Sequence, residues 1–423
     1  MDDRKFFEAL FRAAVDAADP AATIEAHLPE KPRGRTIVVG AGKGSAQMAQ
    51  AFERAWRKRH GDAPIEGVVV TRYGFGAPCD EIEIIEASHP VPDAAGLVAS
   101  KRLLDAVSGL SADDLVVALI SGGGSALLPS PPEGMTIEDE IAVNKALLAS
   151  GAPISAMNAI RKHLSTIKGG RLAAAAHPAR VHSLIVSDIP GDNPAFVASG
   201  PTIADATSRE DALRFVERYR LDLPAAAMEH LRSEAATAPQ PHDAVFKGHA
   251  VEVIASAGVS LQAAADAARK AGVEAFILSD AIEGEAREVA HVHSALAKHV
   301  ALRNQPFAKP VVIISGGETT VTVRHKGKGG RNTEFLLSLA IDIEGTEGIS
   351  AFAADTDGID GSEDNAGAFA DGTTVERLHE KGLDAAAFLN GNDAWTAFSA
   401  LGDLFVPGPT GTNVNDLRAI LVR

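Results

Sequence analysis

Cysteine is nearly absent from this 423-residue chain, in which Cys79 stands alone. That excludes an intrachain disulfide and a zinc site built from clustered cysteines, and it fits a reducing compartment. Long apolar runs are missing as well. No stretch of about 18 consecutive apolar residues occurs, so no membrane-spanning helix is expected. The opening MDDRKFFEALFRAA mixes acids and bases where a secretory leader is apolar. Positive charge is in deficit: 40 Lys and Arg against 56 Asp and Glu leave a net charge of −16. That balance opposes binding to nucleic acid or to an anionic membrane surface. A cytoplasmic protein with neither partner is the expectation, and any local basic cluster calls for a specific anion. With 46% hydrophobic and 23% charged residues the composition is that of an ordinary globular protein, long enough for two or three domains at roughly 150 residues each.

Short β-branched runs alternate with longer Ala- and Leu-rich stretches, the pattern of an α/β fold with a parallel sheet. Thr36 to Val39, Gly67 to Thr71, Glu81 to Glu86, Leu115 to Ile120 and Val181 to Ser187 read as strands, several of them apolar throughout, as strands buried on both faces are. The proline-containing stretch Ser233 to His249 lacks apolar periodicity and reads as a linker or edge excursion. It divides the chain into domains at 1–238 and 245–423. After it, strands are expected at Val251 to Ala255, Glu274 to Leu278, Pro310 to Ile314, Thr319 to Arg324, Ile349 to Ala353 and Leu417 to Val422, with helices over about 260–271, over 284–303 and from Asn332. No repeat of about 20 to 50 residues is visible.

Four segments of the first part could carry chemistry. In TIVVGAGKGSAQ a strand runs into Gly40, Gly42 and Gly44 and then a helix, which sets backbone N–H groups of Gly42, Gly44 and Ser45 and a helix dipole against an anion. Lys43 adds a cation, or is the solvated lysine of a tight turn. The spacing matches neither a Walker A loop nor G-x-G-x-x-G, since Ser45 replaces the third glycine. In LVVALISGGGS a strand ends in Ser121, Gly122, Gly123, Gly124 and Ser125, glycines that let backbone approach a ligand where open α/β sheets bind them. In PISAMNAIRKHLSTIKGG an apolar stripe (Met157, Ile160, Leu164, Ile167) is followed one residue later by Asn158, Arg161, Ser165 and Lys168, about 100° around a helix. With Lys162 and His163 these suggest an anionic ligand, or a basic face paired with neighbouring acids. Finally, HSLIVSDIPGDNP delivers Asp188 at a strand end, where a carboxylate can take a hydroxyl proton or hold a metal, or cap a turn.

Two loops of the second part have opposite charge. GKGGRNTE sets Lys328 and Arg331 around Gly330 before a helix, and AADTDGIDG sets Asp355, Asp357 and Asp360 after a strand. Ile359 at the third ligand position excludes an EF-hand. A phosphate beside the first loop and a hydrated Mg²⁺ beside the second fit this pairing, although Asp-Gly turns are also common surface punctuation.

Together, VVGAGKGS, ISGGGSALL, IRKHLSTIKGGRLA, SDIPGDNP, SGPT, SGGETTV, GKGGRNTEFLL, DTDGIDG and PTGTNVND resemble the MOFRL-type, or class II, glycerate 2-kinases along most of the chain. The resemblance implies an N-terminal Rossmann-like α/β domain and a C-terminal α/β (MOFRL) domain with the active site in the cleft between them. It also implies ATP- and Mg²⁺-dependent phosphorylation of D-glycerate to 2-phosphoglycerate, with Lys43 and Arg331 as the main cations. On this reading Asp188 orients or deprotonates the glycerate 2-hydroxyl, and Asn158 and Arg161 grip its carboxylate. Ser121, Gly122, Gly123 and Ser125 hold substrate; Gly42, Gly44, Ser45, Lys328 and Gly330 hold phosphates; Asp355 or Asp357 places Mg²⁺. Asn193 stands where a second acid after Asp192 is expected, so position 193 is left out of the metal set. A hydroxypyruvate reductase using NAD(P)H is the rival, with Arg72 suited to a 2′-phosphate, and a non-catalytic phosphosugar-binding regulator is a second. Whether the chain forms a homo-oligomer is left open.

Overall fold

Strands β1 (Thr36–Ala41) and β4 (Leu115–Ile120) are buried at every position, as their uninterrupted apolar sequences require. They are the middle of a six-stranded sheet completed by β2 (Glu66–Arg72), β3 (Ile82–Ala87), β5 (Arg180–Val186) and β6 (Ala250–Ala255), in the order β3-β2-β1-β4-β5-β6. Strands β1 to β5 pair in parallel, with Gly40 opposite Val69 on one side and Leu119 on the other. Ile37, Val39, Ala41, Val116, Ala118 and Ile120 form one cluster with Ala99 and Leu103 of the helix Ala94–Ala106. The alternate residues Val38, Val117 and Leu119 are buried as well and point to the opposite face, so the sheet is covered on both. The strand order reverses between β1 and β4, and open sheets bind ligands at the carboxyl ends of strands flanking such a switch.

The computed structural model describes residues 2–189 and 191–423, and they divide into two units, 20–254 and 1–19 with 255–423. The second unit is built on β7 (Glu274–Ile277), β8 (Gly284–Glu285), β9 (Val311–Ser315), β10 (Thr319–Thr320), β11 (Ile349–Asp355), β12 (Gly367–Asp371), β13 (Leu404–Phe405) and β14 (Asp416–Val422). Its main sheet runs β13-β12-β11-β14-β9-β7 and is antiparallel except for the β7–β9 pair. Strands β8 and β10 form a separate parallel pair. The helix Arg331–Asp342 is buried over most of its length, with Phe335, Leu336, Leu337 and Leu339 in the core.

The α/β reading with two units holds, but the divisions expected at 238 and 245 fall elsewhere. The helix Asp3–Asp16 buries Phe6, Phe7, Leu10 and Phe11 in the second unit's core, with the Phe7 ring stacked 5.8 Å from Phe352. The stretch 233–249 is an excursion within the first unit, because β6 after it returns to the first sheet. Thr319 to Arg324 is a strand only at 319–320. The helix expected to carry both Asn158 and Lys168 ends at His163, its C-cap at Leu164, and Ser165 Oγ then accepts from the Ile167 and Lys168 amides. Pro190, inside SDIPGDNP, lies outside the described residues. Among the described residues no helix is long and apolar enough to cross a membrane.

Candidate functional site

The loops after β1 and β4 are hydrogen-bonded to one another. The Lys43 amide donates to Gly122 O at 2.9 Å, the Gly44 amide to Ser121 Oγ at 3.0 Å, and the Ser45 and Ser121 hydroxyls lie 3.1 Å apart. Gly42 donates to Val70 O and Ser45 to Gly42 O, both at 3.2 Å. The amides of Gly42, Gly44 and Ser45, expected to be open to an anion, are therefore already satisfied, and their loop buttresses its neighbour. Among the described residues, the N–H groups of Gly122, Gly123, Gly124 and Ser125 donate to no backbone carbonyl. The free donors of the pair belong to the second loop.

Two of these glycines are required by what lies against them. A Cβ on Gly122 would fall 1.9 Å from Asp188 Oδ2, so Asp188 at the end of β5 packs its carboxylate directly on that backbone. Gly123 has φ +80° and a Cβ there would meet His89 Nε2 at 3.0 Å and Lys43 Cγ at 3.1 Å. His89, two residues past β3, escaped the sequence reading. The signal was available: β3 is another parallel strand, and the rule that pointed to the loops after β1, β4 and β5 applies to its carboxyl end too. Burial, then Lys43 and Arg72, push His89 down to about 4, so its imidazole is neutral at pH 7.

Asn158 and Ser125 are joined through Ser199, with Ser125 Oγ to Ser199 Oγ at 2.6 Å and Ser199 Oγ donating to Asn158 Oδ1 at 2.9 Å. Arg161 turns away to Asn144, Nε to Oδ1 at 2.9 Å. The basic cluster expected to await an anion is engaged internally. Lys162 pairs with Asp205 and Lys168 with Glu140, each at 2.6 Å and buried. His163 lies 2.7 Å from Ala236 O and burial, ahead of that bond, holds it below the usual histidine range. The charges were legible, but their acids lie 28 to 43 residues away in sequence.

In the second unit Arg331 opens the helix Arg331–Asp342. Its Nε lies 2.9 and 3.1 Å from the two Asp416 oxygens, its Nη2 contacts Asp355, and its Nη1 is 3.8 Å from Glu318. Burial alone would weaken this charge, but Asp416, Asp355 and Glu318 outweigh it and hold the guanidinium protonated. Burial, then Asp416, raise the Asp355 carboxyl well above its ordinary range against the pull of Arg331. Asp360 accepts from the Asn332 and Thr333 amides and from Thr333 Oγ1, all at 2.9 Å, so the third acid of DTDGID braces the helix start. The Gly330 amide, expected at a phosphate, donates to Thr333 Oγ1 at 3.0 Å. Lys328 Nζ sits 4.8 Å over the Trp395 ring and 3.4 Å from Glu363. Gly330 and Arg331, with Gly327, Thr319, Val321 and Asn392, line a cavity of about 270 Å³.

Both Asp355 oxygens are occupied, one by Arg331 and one by the Asp357 amide. Among the described residues no group of three or more His, Cys, Asp or Glu could hold a metal. A hydrated Mg²⁺ needs only one or two protein carboxylates, and half-buried Asp357, whose Oδ1 takes the Ile359 amide at 2.8 Å, fits that lighter role.

Residues 6–232 match a family described as a domain of unknown function (DUF4147), and residues 311–416 match the MOFRL family. A protein of Agrobacterium vitis provisionally named a hydroxypyruvate reductase is 52% identical over 99% of this chain and 94% of its own. The D-glycerate 2-kinase of Thermotoga maritima is 38% identical over 96% of this chain and 95% of its own. The crystal structure of glycerate kinase from Thermotoga maritima, at 37% identity, matches with a TM-score of 0.90 over 99% of each chain. Motifs, both family domains and whole-chain likeness agree: the chain belongs to the MOFRL-type, class II glycerate kinase family.

Proposed function

We propose that this protein is a glycerate 2-kinase that transfers the γ-phosphoryl group of ATP, with Mg²⁺, to the 2-hydroxyl of D-glycerate. The observation that carries the reading is Arg331, a half-buried cation whose charge three carboxylates sustain. Phosphoryl transfer depends on fixed positive charge against the oxygens of the transferring group. Lys43, with no ion-pair partner among the described residues, is the second such charge. The open amides of Gly122 to Ser125 suit the remaining anionic oxygens. The 2-hydroxyl oxygen forms a bond to the γ-phosphorus as the bond to the ADP oxygen breaks, and Asp188 accepts the hydroxyl proton. Asp357 would hold Mg²⁺, which would supply positive charge against the phosphates. Asn158 keeps Ser125 in place through Ser199.

Reduction of hydroxypyruvate with NAD(P)H is the second reading, favoured by the name of the 52% identical relative and by a strand order that dinucleotide-binding sheets share. Against it stand the engaged amides of Gly42 to Ser45; Arg72 at the end of β2 argues against NADH alone, since an arginine there suits the 2′-phosphate of NADPH. Incubating the protein with D-glycerate, ATP and Mg²⁺ and following ³¹P NMR, with hydroxypyruvate and NAD(P)H in parallel, separates the two. A 2-phosphoglycerate signal is expected, with kcat lowered about 10²- to 10³-fold by Lys43→Ala or Arg331→Ala. NADPH oxidation without phosphoryl transfer would overturn the kinase reading.

A further inference from the structure

Three basic side chains gather at the carboxyl ends of β1, β2 and β3: Lys43, Arg72 and His89. All are half-buried. Lys43 and His89 converge on Gly123, and both Lys43 and Arg72 act on the His89 ring. Among the described residues none of the three side chains has an acid partner. Arg72 instead stacks over Phe75 at 4.2 Å. The acids nearby are engaged elsewhere. Glu86 Oε1 accepts from the Gly74 and Gly76 amides at 3.0 and 2.9 Å. Asp93 accepts from Tyr73 OH at 2.8 Å and from the Gly96 amide at 3.1 Å. Asp188 packs its carboxylate on Gly122. In this chain of net charge −16 the buried lysines Lys162 and Lys168 are both paired with acids, as is half-buried Arg331. A half-buried set left without counter-charge is unfavourable unless an anion completes it.

We propose that Lys43, Arg72 and His89 form the subsite for the carboxylate of the acceptor, a small 2-hydroxy acid. This rests on the kinase reading for the identity of the acid. Arg72 offers a planar fork that matches a carboxylate, the neutral His89 a directional donor, and Lys43 a charge shared with the phosphoryl group alongside. The subsite replaces the expected grip by Asn158, whose amide is committed to Ser199 and Phe196, and Arg161, whose Nε is held by Asn144. Phosphate oxygens have their own donors in the neighbouring Gly122 to Ser125 amides.

A bound carboxylate supplies the counter-charge that His89 lacks and raises its pKa from about 4 toward its ordinary value. By linkage the acid then binds more tightly as pH falls through that interval. The test follows the His89 imidazole by NMR in the wild-type protein, assigned with His89→Gln, without ligand, with D-glycerate, and with a non-hydrolysable ATP analogue. Its titration should move to higher pH with D-glycerate. Kinetically, Arg72→Gln should raise KM for D-glycerate at least tenfold, leave KM for ATP within about twofold, and be partly rescued by Arg72→Lys. A wild-type enzyme that makes 2-phosphoglycerate while His89 ignores D-glycerate overturns the subsite, as does a response to the nucleotide alone. If no phosphorylated product forms, the kinase reading fails, and the response of His89 to D-glycerate or hydroxypyruvate still decides whether a carboxylate binds here.

Discussion

Arg331 and Arg418 share one carboxylate. Asp416 pairs with Arg331 through Nε and with Arg418 Nη2 at 2.6 Å, and Arg418 is 0% exposed. Burial works against the Arg418 charge, and Asp416 is the first group that sustains it. Its other acceptors, Gly316 O, Gly317 O and Thr319 Oγ1 at 3.1 to 3.3 Å, are uncharged. Asp416→Asn keeps the shape and removes the charge, leaving a buried guanidinium without its counter-ion, which costs ~3–5 kcal/mol. Urea unfolding should show a lower midpoint with an unchanged slope, and an unaltered midpoint would mean that the carbonyls alone hold Arg418. Arg331 was legible because a basic residue in a glycine-rich turn stands out in an acidic chain. Asp416 was not, since its only mark is a place in the Asn-rich end of PTGTNVND, 85 residues from Arg331.

At the scale of elements, the helix Arg331–Asp342 takes its start from a residue outside it. Gly330 at the N-cap has no side chain to offer, and Asp360, 27 residues beyond Thr333, accepts the first-turn donors instead. Asp360→Ala should therefore act as the loss of a cap, lowering stability by ~1–2 kcal/mol, and it should lower kcat as well because the freed turn carries Arg331. Thermal unfolding with initial rates reads both, and a stability loss at unchanged kcat would separate the brace from the site. This dependence could not be read locally: Asp-Gly turns look alike whether they cap a distant helix or face water. Strands buried on both faces were readable nearly to their ends, because their apolar runs have one interpretation. Gly367–Asp371, GAFAD, passed unnoticed because its glycine and alanines carry little strand preference and only the pairing with β11 and β13 makes it a strand. The helix Ile154–His163 was drawn too long for the converse reason. An apolar period continued past the point where Ser165 takes over the backbone donors and ends it.

For the whole molecule, the order of the chain and the order of the folding units differ. An N-terminal domain beginning at residue 1 is the natural reading of a chain whose first sheet starts at β1, yet the helix Asp3–Asp16 buries its phenylalanines against Leu261, Ala264, Ala268, Phe352 and Phe369 of the second unit. Four aromatic rings surround Phe352, those of Phe7, Phe11, Phe369 and Phe405, and two come from this helix. Phe7 is 1% exposed, so Phe7→Ala removes a packed ring and opens a cavity, a loss of ~3–5 kcal/mol. Where that loss is felt distinguishes the two divisions. If the helix belongs to residues 255–423, amide hydrogen exchange in Phe7→Ala should accelerate in β9, β11 and β14 and in the helix Ala257–Lys270, while β1 and β4 keep wild-type protection. Faster exchange confined to β1 to β5 would instead assign the helix to the first unit and restore a boundary near residue 238.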